Sequence, residues 1–329
     1  MKLHVKRTLI AIGTFILCGA VWLGYELGSR PSLASYSNLG LAPAAVKATG
    51  LRATFLGVST LLFEDGETAL LTDGFFTRPD WKTVVTRKVM PDSGRIAKSL
   101  ERAGITRLAA VIVTHSHYDH AMDAPEVARR TGAIVVGSES TANVARGWKL
   151  AENQIRIVRD GDQIAFGRFQ ITFIQTRHAP TGFTGGEIRE PLIPPVRAYQ
   201  YREGTSFSVL VRHNGKTLLV QSTAGFVEGA LRGQKADVVF LGIGTLGKQD
   251  EGFRRVYWRE TVQAVGASRV IPIHWDDFTR PLDQPLVPLP YLFDDLDKSM
   301  AFILGRAQQE GIDVKFAPAW GKIDPFAGV

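Results

Sequence analysis

The sequence predicts an α/β protein in which two β-sheets pack face to face with helices outside, preceded by an N-terminal hydrophobic helix. Three observations lead there. From residue 51 onward, short apolar runs of strand length alternate with helix-length amphipathic runs; the mixture occurs twice, once in each half; and residues 8–25 carry no charged side chain. Strand clusters interleaved with helices bury their apolar faces most simply as stacked layers.

The elements follow in order. MKLHVKR places Lys2, Lys6 and Arg7 before TLIAIGTFILCGAVWLGY, a charge-free run of 18 residues. That length is near the lower limit for crossing a bilayer. Residues 1–28 are therefore expected to anchor the chain in a membrane. By the positive-inside rule the bulk of the chain then lies outside the cytoplasm, on the periplasmic side. A cleaved secretory signal, with secretion of the rest, is the alternative. Residues 29–50, rich in Ser, Ala, Gly and Pro, read as a linker, and 51–329 as the folded domain. LRATFLG, STLLFED and TALLTDG (51–74) read as strands joined by tight turns such as Asp65-Gly66. SGRIAKSLERAG (93–104) has a helical period stopped by Gly104, and LAAVIVT (108–114) is a continuous apolar strand of the fully buried kind. A helix over 123–132 and a strand over 133–137 close the first half. In the second, QIRIV, DQIAFG and FQITFIQT (154–176) read as an antiparallel series, and SFSVLVRH with KTLLVQS (206–222) as a hairpin around HNGK. ADVVFLGIG (236–244) is a buried strand, and a helix near 254–266 leads into the strand RVIPIHW (269–275). A Pro-rich loop (281–290), a helix over 294–311 and a last strand VKFAP complete the chain.

Composition narrows the chemistry. The single cysteine, Cys18, lies in the apolar run, so the folded part has no disulfide, thiolate ligand or cysteine nucleophile. The net charge of +7 is scattered rather than clustered, and no nucleic-acid partner is expected.

The seven histidines are the informative residues. Three of them, with one aspartate, form THSHYDH: His115, His117, Asp119 and His120. The cluster follows a buried strand and precedes a helix, the edge where α/β proteins place ligands. In extended chain, residues two apart point the same way, so His115 and His117 can grip one metal. Asp119 and His120, at the turn into the helix, can face a second. Neutral imidazole and carboxylate are what zinc takes in the absence of thiolate. His178 and His274 each end a strand, whereas His4 and His213 lie where no metal role is expected.

THSHYDH, followed by His178 and then by His274 in PIHW, resembles the metallo-β-lactamase superfamily over about 51–329. FLGVSTLLFEDGETALLTDGFF and PIHWDD are most similar to the branch of ascorbate-phosphate lactonases and N-acyl-phosphatidylethanolamine phospholipase D. The resemblance implies a four-layer αβ/βα sandwich with a metal site between the sheets. It implies one or two zinc ions, two on the fuller reading: His115, His117 and His178 on the first, and Asp119, His120 and His274 on the second. Asp73, in LLTDGFF, matches an aspartate behind the ligands that would fix a histidine tautomer.

The chain departs from the pattern twice. LLVQSTAGF has Thr223, preceded by Ser222, where most such hydrolases carry an aspartate bridging both metals, and GVST has Val58 where relatives often have His. The activity implied is metal-dependent hydrolysis of an ester, lactone or phosphodiester in a small-molecule or lipid substrate. The metals would activate the hydrolytic water, and Asp119 would serve as the catalytic carboxylate orienting it. Tyr118 and Trp275 beside the ligands, with Arg197 and Tyr201 from the long loop 182–205, are candidate pocket residues. Alternatives are an iron-dependent oxidoreductase of the same fold and an inactive metal-binding module. The flavodiiron type of oxidoreductase expects Glu where this chain has His117.

Overall fold

The computed structural model describes residues 2–43, 50–182 and 184–329. Residues 44–49 of the expected linker, Phe183 of the long loop and the His4 side chain lie outside the described residues.

In chain order the first half comprises α1 (Lys2–Gly28), β1 (Arg52–Phe55), β2 (Leu61–Glu64), β3 (Ala69–Thr72), α2 (Trp81–Thr86), β4 (Lys88–Val89), α3 (Ser93–Ala103), β5 (Ala110–Ile112), α4 (Tyr118–Ala121), α5 (Ala124–Thr131), β6 (Ile134–Gly137), α6 (Glu139–Gly147) and β7 (Ile155–Ile157). The second half comprises β8 (Gln163–Phe166), β9 (Phe169–Thr176), β10 (Val196–Arg197), β11 (Ser206–His213), β12 (Lys216–Gln221), β13 (Val238–Gly242), α7 (Glu251–Trp258), β14 (Arg269–Ile273), α8 (Leu296–Glu310), β15 (Asp313–Val314) and β16 (Lys322–Ile323).

Two seven-stranded sheets result, in the orders β16-β1-β2-β3-β5-β6-β7 and β15-β14-β13-β12-β11-β9-β8. Each has an antiparallel stretch and a parallel one: β3, β5, β6 and β7 run parallel in the first, and β12 to β15 in the second. This is the αβ/βα sandwich the sequence predicts. Alternation along the strands builds it. In β5, Ala110 and Ile112 face the inter-sheet core while Val111 faces the helix layer. β2 does the same with Leu61 and Phe63 against Leu62. Between the sheets Phe63 meets Phe240 edge-on at 5.7 Å, and within the second sheet Phe173 of β9 meets Phe207 of β11 at the same distance. Each fully buried side chain of this size contributes about 1.5–3 kcal/mol. Outside the first sheet, α3 inserts Ile96 and Leu100. Gly104 ends that helix at φ 67°, a left-handed cap that glycine adopts without strain.

Several elements depart from the expectation. β7 is not part of an antiparallel series: it pairs parallel with β6 and closes the first sheet, leaving β8 and β9 as the hairpin that opens the second. Period-2 alternation marks a strand but does not name its partner. Helix α6 (ESTANVARG), with its small and β-branched residues, carries little helical signal and is started by the Ser138 side chain accepting Thr141 N. α7 begins at a cap on Asp250 and continues as a π-helical turn over Arg259–Gln263. Past β15, the short strand β16 returns to pair with β1.

The described part of the linker is docked. Leu33–Leu39 form a 3-10 helix, and Leu33, Tyr36, Leu39 and Leu41 pack against the core. Leu41 N donates to Phe316 O and Phe316 N to Leu39 O. Tyr36 donates to Asp297 at 2.7 Å.

Candidate metal centre

Three strand ends build the centre. β5 runs out through Val113 and Thr114 into His115; β9 ends two residues before His178; β14 ends at Ile273, immediately before His274. Phe207 N, at the start of β11, donates to Thr114 O and ties the two sheets together beside the cluster. His117 then takes the N-cap position of α4, which places Asp119 and His120 on its first turn.

The side chains sort into two triads, and in each the donor atoms lie within 4.8 Å of one another: His115, His117 and His178; and Asp119, His120 and His274. In the second, His120 Nε2 and His274 Nε2 are 3.2 Å apart, and Asp119 Oδ2 is 3.4 Å from both. Ligands at 2.0–2.1 Å around a tetrahedral zinc lie about 3.3 Å from one another, so this spacing fits a metal of that size. The triads adjoin, the His115 and His120 rings being 3.8 Å apart.

The far side of each imidazole sets which nitrogen is available. His120 Nδ1 is 2.7 Å from Asp73 Oδ2, and a carboxylate can only accept, so Nδ1 keeps its proton and Nε2 is the nitrogen that would bind a metal on giving up its own. Asp73 is held in turn by Thr114 N at 2.8 Å. His178 Nδ1 donates to Ala179 O at 2.9 Å, again freeing Nε2. His117 is reversed: its Nε2 faces Thr184 Oγ1 at 3.0 Å and Thr184 O at 3.4 Å, which leaves Nδ1 toward its neighbours. His115 Nε2 is buried with no hydrogen-bond partner among the described residues, the kind of orphan a metal would satisfy.

Burial, reinforced by the neighbouring imidazoles, holds His115 well below its usual pKa and His117 down at about 3, so both are neutral and ligand-competent. His120 goes the other way. Burial opposes its charge, yet the Asp119 and Asp73 carboxylates outweigh it and raise the group to about 10. For Asp119, burial is outweighed by His120 and His274, which keep the carboxyl well below its normal range. Asp119 of the triad and Asp73 behind it thus flank His120 with two buried carboxylates, a field that favours a cation.

The other expected residues divide. Thr223 Oγ1 accepts from Ala179 N at 3.1 Å, so the hydroxyl standing in the bridging aspartate's place ties down the chain just after His178. Ser222 accepts from Ser59 Oγ through its carbonyl. Tyr118 lies beside the second triad, stacked edge-on against Phe75 and Phe278. Three candidate pocket residues are placed elsewhere. Trp275 turns from the histidines to pack against Phe55 and Phe316, because consecutive residues leaving a strand point oppositely. Tyr201 is only 1% exposed and sits in the apolar layer outside the first sheet. Arg197 belongs to β10, paired with Lys88 on β4. Sequence reasoning missed Thr184, whose signal was a lone hydroxyl among the glycines of GFTGG, and Phe278, which meets the His274 ring edge-on at 5.8 Å.

Comparison with known proteins agrees with this architecture. A UPF0173 metal-dependent hydrolase of Shouchella clausii is 26% identical over 235 residues, covering 69% of this chain and 87% of the relative. Among solved structures, the metallo-β-lactamase fold protein YhfI of Bacillus subtilis superposes with a TM-score of 0.52 at 16% identity, over 83% of this chain and 98% of that one. Igni18, a metallo hydrolase of Ignicoccus hospitalis, gives 0.51 at 16% identity over 83% and 97%. At such identity these two structures speak for the fold alone. Residues 70–275, well over half the chain and spanning all six clustered groups, match the family described as the beta-lactamase superfamily domain, and the chain belongs to that family.

Proposed function

We propose that the protein is a metal-dependent hydrolase whose two triads each hold a divalent cation, zinc by the chemistry of the donors. The observation that carries this is the convergence of five imidazoles and Asp119 into two groups of ligand spacing, with the second nitrogen of His117, His120 and His178 already engaged by Thr184, Asp73 and Ala179. When bound, such cations supply Lewis acidity and lower the pKa of water to about 7. The chain's own residues do the rest. Asp119, held ionised, accepts a hydrogen bond from the attacking water and orients it toward the scissile carbonyl or phosphoryl group. Asp73 fixes His120, and Thr184 fixes His117. Tyr118 and Phe278 offer an apolar wall beside the second triad, suited to the non-reacting part of an ester, lactone or phosphodiester. The resemblance of FLGVSTLLFEDGETALLTDGFF and PIHWDD to ascorbate-phosphate lactonases and N-acyl-phosphatidylethanolamine phospholipase D is what suggests that substrate range.

The apolar α1, with Phe15, Trp22 and Tyr25 exposed along it, supports a membrane anchor, and the basic flank Lys2, Lys6 and Arg7 is the ground for setting the hydrolase on the outer, periplasmic face. A measurement of metal content tests the central reading. The purified chain should carry zinc, His117→Ala should lose metal from the first triad, and Asp119→Asn should lower turnover about 10²–10⁴-fold. A folded wild-type chain that takes up no divalent metal overturns it.

A further inference from the structure

His274 reaches the second triad from an unfavourable backbone. Its φ is 58°, the left-handed region that residues with a Cβ avoid, and such a residue persists only where its surroundings over-determine it. The surroundings are visible. His274 N donates to Val58 O at 2.8 Å. Val58 is itself left-handed at φ 52°, which for a β-branched residue is a genuine outlier. Val58 N in turn donates to Asp276 Oδ1 at 2.7 Å. Two bonds running in opposite senses therefore clamp the Gly57–Thr60 turn to the segment 274–276.

The other oxygen of Asp276 is 2.7 Å from Arg78 Nη1, and both side chains are fully buried. Arg78 is steadied by Arg95, which donates to its carbonyl at 2.9 Å. Gly57 completes the arrangement: at φ 96°, a Cβ there would lie 2.0 Å from Arg78 Nη2 and 2.9 Å from Asp276 Oδ2. None of these residues belongs to a triad. A buried ion pair is a weak source of stability, because desolvating both charges costs much of what their attraction returns; what it supplies here is a fixed place for Asp276 Oδ1.

We infer that Arg78 and Asp276 are positioning residues for the second triad: their buried ion pair fixes the Gly57–Val58 turn, and that turn holds His274 in the left-handed backbone from which Nε2 meets Asp119 and His120. The inference rests on the metal reading proposed above. It gives the aspartate that follows PIHW in this chain a structural role.

The test is cobalt and zinc titration of the full-length protein in detergent, followed by absorbance and by metal content after dialysis. The double variant R78M/D276L removes both charges together and leaves none buried alone. It should keep its fold by circular dichroism, keep the affinity of the His115/His117/His178 triad within about twofold, and bind the second metal 10- to 100-fold more weakly, the usual effect of losing a group behind a ligand. Arg78→Lys keeps the buried charge without the guanidinium fork and should show the same site-selective loss at smaller size; it carries the test if the double variant does not fold. Wild-type affinity at the second triad in either folded variant overturns the inference, as does an equal loss at both triads. A wild-type chain that binds no metal overturns the metal reading itself.

Discussion

His120 shows how much one proton placement decides. Its Nε2 can face a metal only while Nδ1–H is held by Asp73 Oδ2. In Asp73→Asn, the amide can present its own N–H to Nδ1, driving the proton to Nε2 and removing the lone pair. Second-triad affinity should fall about 10- to 100-fold in a zinc titration, with the fold retained by circular dichroism. Thr184→Val makes the parallel case for the first triad. It deletes the hydroxyl 3.0 Å from His117 Nε2 but keeps the nearby carbonyl, so first-triad affinity should drop by less than in Asp73→Asn. At this scale the sequence was legible where residue type carries the chemistry. THSHYDH, His178, His274 and Asp73 could be picked out as imidazoles and a carboxylate at strand ends. Phe278 could not, because a phenyl ring has the same ordinary appearance wherever it lies, and Thr184 offered only the faint mark of a hydroxyl among glycines.

Turns between strands do more than connect them. Asp65, at the β2–β3 turn, accepts Glu67 N and Thr68 N through one oxygen and Arg168 Nε and His213 Nε2 through the other, each of the latter at 2.9 Å. It thereby joins the turn of the first sheet to the β8–β9 and β11–β12 hairpins of the second. Burial works against its charge, but the bonds from Thr68, His213, Glu67 and Arg168 outweigh that and hold the carboxyl below its ordinary range. A depressed folded-state pKa stabilises fully above the unfolded value of about 3.9 and loses that contribution as pH falls through the folded one. Asp65→Asn should therefore cost roughly 2–3 kcal/mol near pH 7. The gap between its melting temperature and the wild type's should narrow as the pH drops below about 4. A gap independent of pH would show that the carboxylate charge is not what stabilises this junction. His213, set aside from the metal cluster on sequence grounds, has this structural place instead.

Across the whole molecule, the N-terminal region is bound to the catalytic body more closely than its composition implies. Arg30 donates to Asp277 at 3.2 Å and to Pro288 O, and residues 33–41 pack on the core. Asp277 lies three residues beyond His274, so the chain leaving α1 touches the loop that carries the second triad. Removal of residues 1–28 should leave the melting temperature of the remainder within a few degrees of the intact protein. Removal through residue 42 should lower it further, because it strips Tyr36 from Asp297 and Leu39 from Phe316. Thermal unfolding of the two truncations checks this.

The sequence by itself determined the alternation of strands and helices, the apolar leading helix and which side chains could bind metal, because periodicity and functional groups are local properties of the chain. Only the tertiary structure decided that β7 joins the first sheet, that Trp275 and Tyr201 turn away from the histidines, that residues 33–41 are docked, and that Arg78 and Asp276 stand behind His274. Each of these depends on partners far away in sequence, and on backbone strain at Val58 and His274 that no residue type announces.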